Sequence, residues 1–297
     1  MVPKPHPDSL EAGRIAAKVL DETVDLVTPG KRIIDICEFA ESRIRESGAY
    51  PAFPCNISID SEAAHYSSPY GDTRKIPEKG LIKVDLGAHI NGHISDTAKT
   101  VDLVGSFGHY IAAVEDALQA AIDVIRPGIK TGQVGAAIEE AIRSYDLQPV
   151  YQLSGHELKP WMLHAGRNVP NIGSKMGSTI KAGDTFAIEP FATDGDGSIT
   201  SDRRMYIFRN NLSSGTHLEG ATERLRDKAR RLFGSLPWAS RWIYDTNLNM
   251  TKQLKTLLHK RVIIGYPVLL DAKNGMVSQK EHTVFVGEDG AIATTKL

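Results

Sequence analysis

Residues 84–100 read VDLGAHINGHISDTAKT, and this stretch places two carboxylates inside a segment patterned like a β-hairpin. The pair Asn91-Gly92 favours a two-residue type I′ turn because both residues tolerate positive φ. With that turn, Asp85 and Asp96 share one face of the hairpin as diagonal neighbours, about 7–8 Å apart at their backbones. The predicted register pairs Ile90 with His93, Gly87 with Asp96, and Asp85 with Ala98.

Two carboxylates that converge in this way repel one another, and an unpaired buried charge is strongly destabilising. One or two metal ions between Asp85 and Asp96 would remove that cost. The alternative is a solvated hairpin with two surface aspartates, and a β-bulge would also change the register. This segment alone leaves both interpretations open.

Three further segments place ligand-type side chains where strand patterning predicts apolar residues. His156 and His164 lie eight residues apart. Glu189 interrupts an apolar strand and precedes Pro190, which restricts that position to a strand end or a sheet edge. Glu281 stands at the mouth of another strand. Each of these residues taken alone is commonly a solvated or hydrogen-bonded polar group, but together with the hairpin they predict a site.

One imidazole and four carboxylates form a donor set that suits Mn, Fe, Co or Zn rather than a sulfur-bound structural zinc. Five ligands are more than one hydrolytic zinc needs, and they fit two ions about 3.5–4 Å apart that share a water. Four negative charges nearly balance two divalent cations, so the cluster could be buried. The predicted ligands are Asp85, Asp96, His156, Glu189 and Glu281.

The elements that position these residues come in two similar sets. Residues 9–27 predict a helix with Asp8 or Ser9 as its N-cap, and residues 34–47 predict a second one. The pair recurs 98 positions later, which indicates two copies of one unit, with chance similarity between amphipathic helices as the alternative. The identical pairs are Leu20 and Leu118, Asp25 and Asp123, Pro29 and Pro127, Gly30 and Gly128, Glu41 and Glu139, Ile44 and Ile142, and Arg45 and Arg143.

Strand-like sequence follows each helix pair, which predicts an α+β fold of two pseudo-equivalent halves, about 1–105 and 106–297, within one catalytic domain. A cleft between such halves is a natural ligand site. The second half is interrupted by helical, largely basic sequence at 217–262, and we take 212–264 as the bounds of this insertion. Its positive charge is more typical of a solvated face than of a binding patch.

The bulk composition excludes several classes of protein. With 297 residues, 41% of them hydrophobic, the chain can bury a large core. A net charge of −1 predicts neither specific nucleic-acid binding nor attraction to anionic membranes. Two cysteines, Cys37 and Cys55, are too few for a disulfide framework, and the N-terminal sequence has no apolar signal core. We expect a cytoplasmic protein that does not associate with membranes.

The ordered pattern of motifs resembles the methionine aminopeptidases, and the helical insertion resembles their type II branch. The resemblance implies the pseudo-symmetric pita-bread, or creatinase-like, fold with two divalent metal ions in a central cleft. Because the chain begins almost at the first motif, we expect an archaeal-type member. The motifs are AFPCNISIDSEAAHYSSP (52–69), VDLGAHINGHISDTA (84–98), LSGHELKPWMLHAGRNVPN (153–171), FAIEP (186–190), YPVL (266–269) and SQKEHT (278–283).

The resemblance also implies a role for each ligand-type residue. Asp85 would bind one metal, Asp96 and Glu281 would bridge both, and His156 and Glu189 would complete the other. Glu189 would also act as the general base. Two histidines outside the ligand set match catalytic positions of the family. His164 would donate a hydrogen bond to the developing oxyanion, and His65 would contact the substrate near the scissile amide.

The family's methionine pocket matches Phe53, Tyr66 and Tyr266, although Tyr66 could equally be a core residue. The implied substrates are the N-termini of nascent polypeptides with a small second residue. We expect a monomer, and the basic insertion is a candidate ribosome contact. The sequence HYSSPYGD departs from the usual HYTP of relatives, which leaves the loop after His65 undefined.

Two other functions fit the same scaffold. Aminopeptidase P and prolidase share the five ligands but carry a large additional N-terminal domain, whereas only about 50 residues precede the first motif here. Some pita-bread proteins have lost ligands and serve as RNA- or protein-binding modules. That second interpretation predicts replacements among the five ligand positions, and none is replaced.

Overall fold

The computed structural model describes residues 2–297, and its first half is a helix pair packed on an antiparallel sheet. The sheet has the strand order β1-β3-β4, and the short strand β2 leaves it to join another sheet. The two helices cover one face of the sheet and bury an apolar core against it. The elements are α1 (Pro7–Val24), α2 (Ile33–Glu46), β1 (Tyr50–Ile59), β2 (Glu62–Ala64), β3 (Leu81–Ile90) and β4 (His93–Asp102).

The first helix begins two residues earlier than the sequence predicted. Its N-cap is His6, not Asp8 or Ser9, and His6 Nδ1 accepts a hydrogen bond from the Asp8 backbone N–H at 3.2 Å. Pro7 is suited to the first helical position because its fixed φ is already helical and its missing N–H would have no partner there. The second helix, α2, has the predicted bounds to within one residue at each end.

The β3–β4 hairpin confirms the predicted register in full. Asn91 and Gly92 have φ values of +50° and +85°, as a type I′ turn requires. No bulge interrupts the ladder between Leu81 and Asp102. Asp85 and Asp96 therefore lie on the same face of the hairpin, and the pairs Ile90–His93, Gly87–Asp96 and Asp85–Ala98 face each other.

The second half repeats the arrangement of two helices against a sheet. Its helices bury a second core against a five-stranded sheet of order β15-β14-β8-β6-β7. A small sheet of order β13-β9-β5 lies beside it. The elements are α3 (Gly108–Val124), α4 (Thr131–Arg143), β5 (Gln148–Pro149), β6 (Ser154–Glu157), β7 (Asn168–Pro170), β8 (Thr185–Ile188), β9 (Phe191–Thr193), β13 (Val277–Gln279), β14 (His282–Val286) and β15 (Ala291–Ala293).

A helical segment separates two long paired strands of the second half. The strands β10 (Ile199–Asn210) and β12 (Ile263–Asp271) are antiparallel neighbours in a sheet of order β11-β10-β12-β2. Ile263 and Ile264, inside the predicted 212–264 interval, belong to β12, because Ile263 pairs with Asn210. The connecting segment forms a third apolar core. It contains α5 (Gly220–Phe233), β11 (Trp238–Ala239), a 3-10 turn (Ser240–Ile243) and α6 (Met250–His259).

Across residues 2–297, no helix combines the length and the apolar character needed to cross a bilayer.

Candidate metal centre

Asp85 and Asp96 project from the two strands of the hairpin into a cavity of about 230 Å³. Asp85 lies on the central strand of its sheet, where Asn56 of β1 faces it across the ladder. Asp96 lies on β4, and its backbone N–H donates to Thr283 Oγ1 at 2.7 Å. The hairpin thus delivers one carboxylate from each strand, and the contact with Thr283 links it to the other half of the chain.

Glu281 reaches the same cavity from the turn between β13 and β14. Its backbone N–H donates to the Ala98 carbonyl at 3.1 Å, and its own carbonyl accepts from Thr97 Oγ1 at 2.9 Å. Gln279 Nε2 lies 3.3 Å from Glu281 Oε2 and donates a hydrogen bond to it. As predicted, Glu281 immediately precedes a strand, and these bonds hold it beside β4.

His156 and Glu189 come from neighbouring strands of the five-stranded sheet. His156 lies on β6 and faces Ala187 of β8 across the ladder. Glu189 follows the last residue of β8, and Pro190 separates that strand from β9. The proline therefore stands at a strand end, as predicted, where its missing N–H interrupts no ladder.

The five predicted ligands all line the same cavity. His156 Nε2 lies 3.6 Å from Asp96 Oδ2 and 3.4 Å from Glu189 Oε1. One donor atom from each of Asp96, His156 and Glu281 lies within 4.8 Å of the others. The structure therefore brings together side chains that are spread over almost 200 positions of the sequence.

This cluster is buried and its charges are not compensated by basic side chains. Asp96, His156 and Glu281 are 4%, 6% and 1% exposed, respectively. Oδ1 of Asp85 and Oδ1 of Asp96 are buried without a hydrogen-bond partner in the described part of the chain. Because a buried polar atom without a partner is unfavourable, these two oxygens indicate that a positively charged ligand belongs here.

The pKa values of the cluster reflect its burial. Burial raises the pKa of Asp85 to about 7. Burial and then the charges of neighbouring carboxylates raise the pKa values of Asp96, Glu189 and Glu281 well above their usual range. Burial also lowers the pKa of His156, which keeps its imidazole neutral and able to bind a metal. A divalent cation would allow the carboxylates to ionise, and its binding would release protons.

The donor chemistry fits divalent cations. Four carboxylates and one neutral imidazole are oxygen-rich, nitrogen-containing ligands of the kind that Mn, Fe, Co and Zn accept. No cysteine lines this cavity. The unpartnered oxygens, the mutual repulsion of the carboxylates and the neutral histidine all favour an ion at this position.

Two histidines that are not in the ligand set line the same cavity. His65 Nδ1 lies 3.2 Å from the Pro267 carbonyl oxygen, and His164 stacks at a tilt on His156 with ring centroids 4.3 Å apart. A carbonyl oxygen can only accept, so His65 carries its proton on Nδ1 and leaves Nε2 as an acceptor when the ring is neutral. Tyr266 packs against the rings of both His65 and His164.

Of the three aromatic residues predicted for a methionine pocket, Phe53 and Tyr266 line the cavity. Phe53 can approach β3 because its partner there is Gly87: a Cβ on Gly87 would lie 2.4 Å from Phe53 Cε1. Of the two alternatives left open for Tyr66, the structure supports the core residue. Its ring packs in the core of the first half, and its hydroxyl donates to Asp72 Oδ2 at 2.8 Å, outside the cavity.

Comparison with known proteins identifies the family. Residues 9–219 match the model of metallopeptidase family M24. The chain is 41% identical over 287 residues to the methionine aminopeptidase of Methanocaldococcus jannaschii, and the alignment covers 97% of each chain. The chain belongs to the methionine aminopeptidases of family M24. The pita-bread fold predicted from the sequence is therefore confirmed.

Solved structures of other proteins share this fold. A thermophilic Arx1 matches with a TM-score of 0.85 at 17% identity, over 97% of this chain and 89% of that one. The methionine aminopeptidase of Thermotoga maritima matches with a TM-score of 0.72 at 21% identity, over all of both chains. The high identity to a methionine aminopeptidase favours that family over the proline-directed peptidases.

Sequence reasoning missed two polar residues of the site. Asn56 lines the cavity, is 4% exposed and leaves its Oδ1 without a partner, while its Nδ2 donates to the Pro54 carbonyl. Gln279 is 1% exposed and supports Glu281. Both residues lie inside motifs that the sequence had singled out. Asn56 interrupts an apolar strand pattern, which is the signal that could have revealed it, whereas the strand of Gln279 reads Val-Ser-Gln and gives no such signal.

Proposed function

We propose that this chain releases the N-terminal methionine of polypeptides by metal-assisted hydrolysis in the central cavity and prefers a small second residue. The observation that carries the proposal is the convergence of four carboxylates and one imidazole on one buried cavity. Full-length similarity to methionine aminopeptidases supports it independently. The chain is a hydrolase that acts on the free amino end of its substrate.

The ligand set would hold two divalent cations, with Co, Mn, Fe and Zn as the candidates. We assign Asp85 to one ion, His156 and Glu189 to the other, and Asp96 and Glu281 to both. When bound, such cations act as Lewis acids that make hydroxide available near neutral pH and polarise the scissile carbonyl. Asp96 and Glu281 suit the shared position because both are almost fully buried within the cluster.

Glu189 is the proposed general base. Its Oε1 lies 3.4 Å from Nε2 of the proposed ligand His156 and its side chain lines the cavity, so a carboxylate oxygen is placed to accept a proton from a water there. Glu189 takes a proton as the water oxygen bonds to the carbonyl carbon. The same proton then passes to the leaving nitrogen as the C–N bond breaks, so Glu189 returns to its starting state.

His164 and His65 are the proposed partners of the reacting amide. His164 lies next to the ligand His156 and has a ring N–H available to donate to the oxyanion as negative charge develops there. His65 presents Nε2 as an acceptor, because Nδ1 donates to the Pro267 carbonyl. We therefore assign His65 to accept a hydrogen bond from an N–H of the substrate near the scissile bond.

Phe53 and Tyr266 are the proposed walls of the methionine pocket. Phe53 is 6% exposed and belongs to a small apolar cluster with Leu163, which also lines the cavity. A flexible, polarisable thioether packs well against aromatic and aliphatic walls of this kind. These walls lie in the same cavity of about 230 Å³ as the proposed ligands, and the preference for a small second residue follows the resemblance to the family.

We further propose that both halves form one catalytic domain and that the protein is a cytoplasmic monomer acting on nascent chains. The segment between β10 and β12 is the proposed type II insertion. Its exposed basic residues make it the candidate ribosome contact. Those residues are Arg224 and Arg231 on α5, and Lys252 and Lys255 on α6.

The test uses chelated protein and peptides that begin Met-Ala, Met-Gly or Met-Trp. Free methionine should be released from Met-Ala and Met-Gly only after Mn, Co or Fe is added, and much more slowly from Met-Trp. Glu189→Gln should lower kcat about 10²–10⁴-fold, the usual contribution of a general base. Bound metal should fall by less than that factor.

Glu288→Gln, at an exposed glutamate outside the cavity, is the matched control and should keep full activity. Absence of methionine release with every added metal would overturn the proposed function. Full turnover by Glu189→Gln with normal metal content would remove the role of general base and leave the remaining assignments in place.

A further inference from the structure

A second cluster of metal-ligand side chains lies on the surface, where α1 begins against the turn of the β3–β4 hairpin. His6, Asp8 and His93 each have a donor atom within 4.8 Å of the other two. The imidazole rings of His6 and His93 are stacked, with centroids 3.8 Å apart and planes 4° from parallel. None of these residues lines the central cavity.

Local hydrogen bonds hold the three side chains in place. The Asp8 backbone N–H donates to His6 Nδ1 at 3.2 Å, and Ser9 Oγ lies 3.3 Å from His93 Nδ1. Asn91 Nδ2 donates to Asp8 Oδ2 at 3.0 Å. Because His6 Nδ1 accepts, its neutral ring carries the proton on Nε2, so His6 binds a metal only by giving up this N-cap bond. His93 can bind a metal through Nε2 while its Nδ1 donates to Ser9 Oγ.

We propose that His6, Asp8 and His93 bind one divalent transition-metal ion at a peripheral site separate from the catalytic centre. Two imidazole nitrogens and one carboxylate form a nitrogen-rich donor set, which favours Ni, Cu and Zn. The central ligands, with four carboxylates, favour Mn and Fe more strongly by the same rule. The two sites should therefore differ in metal preference.

The charges around the cluster are compatible with a cation. The positive end of the α1 dipole opposes one, and the carboxylate of Asp8 in the first turn offsets that effect. Partial burial and the neighbouring His6 lower the pKa of His93, which favours the neutral ring that a metal requires. Two stacked imidazoles also resist carrying two positive charges, and a shared metal ion avoids that repulsion.

Closing the site requires movements of side chains. Bonds of about 2.0–2.2 Å place two ligands of one zinc ion at most about 4 Å apart, and the donor atoms here all lie within 4.8 Å of one another. The rings must also tilt from parallel so that both nitrogens face the ion. The side chain of His6 is 52% exposed, and tilting its ring breaks its N-cap bond and its stacking on His93.

A metal at this site would tie the start of α1 to the hairpin that carries Asp85 and Asp96. His93 is the first residue of β4, directly after the Asn91-Gly92 turn. The ion would therefore cross-link two segments more than 80 positions apart in the sequence. Because it binds only the folded arrangement, it should raise the melting temperature of the protein.

Nickel titration of the chelated, untagged full-length chain tests the proposal. His6→Asn keeps an acceptor for the N-cap while removing the imidazole, and His93→Gln removes the other ring. Each variant should bind one Ni²⁺ fewer per chain, or bind it at least tenfold more weakly, by calorimetry and elemental analysis. Ni²⁺ should raise the melting temperature of both variants less than that of the unsubstituted chain.

His259→Ala, at an exposed histidine of α6 outside both clusters, is the matched control and should bind nickel as the unsubstituted chain does. His156→Ala tests the central site separately and should keep the peripheral ion. Methionine release with saturating Mn²⁺ should be unchanged in the His6 and His93 variants. Unaltered nickel stoichiometry and affinity in those two variants would overturn the proposal without affecting the catalytic assignment.

Discussion

Two buried clusters of charged side chains in this chain differ in how they offset the free-energy cost of desolvating their charges. The first joins the insertion to α2: the guanidinium of Arg241 contacts the carboxylate of Glu41, and each side chain is only 3% exposed. Arg241 Nη1 also donates to Ser67 Oγ at 2.8 Å and to the Ser68 carbonyl at 2.9 Å. Trp242 Nε1 donates to Glu41 Oε2 at 2.6 Å.

The second cluster is the candidate metal centre, where four carboxylates meet and, within residues 2–297, no lysine or arginine lines the cavity. In the Arg241 cluster the chain provides both signs of charge and most of the hydrogen bonds. In the metal centre it provides one sign and leaves oxygens of Asp85 and Asp96 unpartnered. Arg241 Nε also lacks a partner in the described part of the chain, but the first cluster balances its charges without a ligand, whereas the second does so only with a bound cation. This difference in charge balance separates a structural ion pair from a binding site.

The largest expected effect comes from removing the arginine of the Arg241–Glu41 cluster. Arg241→Met should lower the free energy of unfolding by about 3–5 kcal/mol, because it leaves the carboxylate of Glu41 buried without its counter-ion. Urea denaturation of chelated protein measures this loss. Arg231→Met, at an exposed arginine of α5 outside the cluster, should cost less than about 1 kcal/mol.

The double variant Arg241→Met/Glu41→Leu separates lost charge balance from lost packing. Removing both charges should restore much of the stability that the single change loses, because no unpaired charge then remains buried. Recovery should be incomplete, since the Cys55 backbone N–H also donates to Glu41 Oε1 and would lose its acceptor. A double variant no more stable than Arg241→Met would contradict the account of Arg241 and Glu41 as a compensating pair.

Removing a charge from the four-carboxylate cluster should stabilise the chelated protein, in contrast to Arg241→Met. Asp96→Asn removes one of the four repelling carboxylates, so chelated Asp96→Asn protein should be more stable than the chelated unsubstituted chain by about 1–4 kcal/mol at neutral pH. Adding Mn²⁺ should reverse the order, because only the complete ligand set gains stability by binding metal. Thermal unfolding with and without metal measures both differences.

The pH dependence gives this prediction a second test. A carboxyl with a raised pKa in the folded state holds its proton after the unfolded chain has released it, so stability falls as pH rises through that interval. With the pKa of Asp85 at about 7, chelated protein should lose stability from about pH 4 to about pH 7. The Asp96→Asn protein should lose less stability over this range. An equal loss would contradict the assignment of Asp96 to the buried carboxylates whose pKa values are raised. Exposed Asp25→Asn is the control and should follow the unsubstituted chain.

The two clusters also differ in how far the sequence predicts them. Asp85 and Asp96 could be placed on one face because the Asn91-Gly92 turn fixes the register locally. Glu189 could be placed at a strand end because Pro190 follows it. Rules of short range were sufficient to predict each local geometry, and the resemblance to a family supplied the expectation that the separate pieces meet.

No local rule predicts the Arg241–Glu41 pair, whose members are 200 positions apart in the sequence. Arg241 lies in a basic segment whose charge was assigned to a solvated face, yet its side chain is buried. The N-cap prediction was wrong because histidine is not a preferred capping residue, so Asp8 and Ser9 were predicted and not His6. Whether a polar side chain is buried, and which distant residue it contacts, depends on the folded structure and not on the neighbouring sequence.

The smallest expected effect concerns Tyr66, which the structure places beside the Arg241 cluster and not in the cavity. Its hydroxyl donates to Asp72 Oδ2, which also accepts from Ser68 Oγ at 2.5 Å, so Tyr66→Phe removes one of two hydroxyl donors to that oxygen. The free energy of unfolding should fall by about 1 kcal/mol, the usual contribution of one hydrogen bond. Both kcat and KM for a Met-Ala peptide should stay unchanged, whereas Tyr266→Ala, in the proposed pocket wall, should raise KM. A tenfold fall in kcat/KM for Tyr66→Phe would instead mean that the tyrosine acts on the substrate, and the boundary drawn here between the structural network and the site would be wrong.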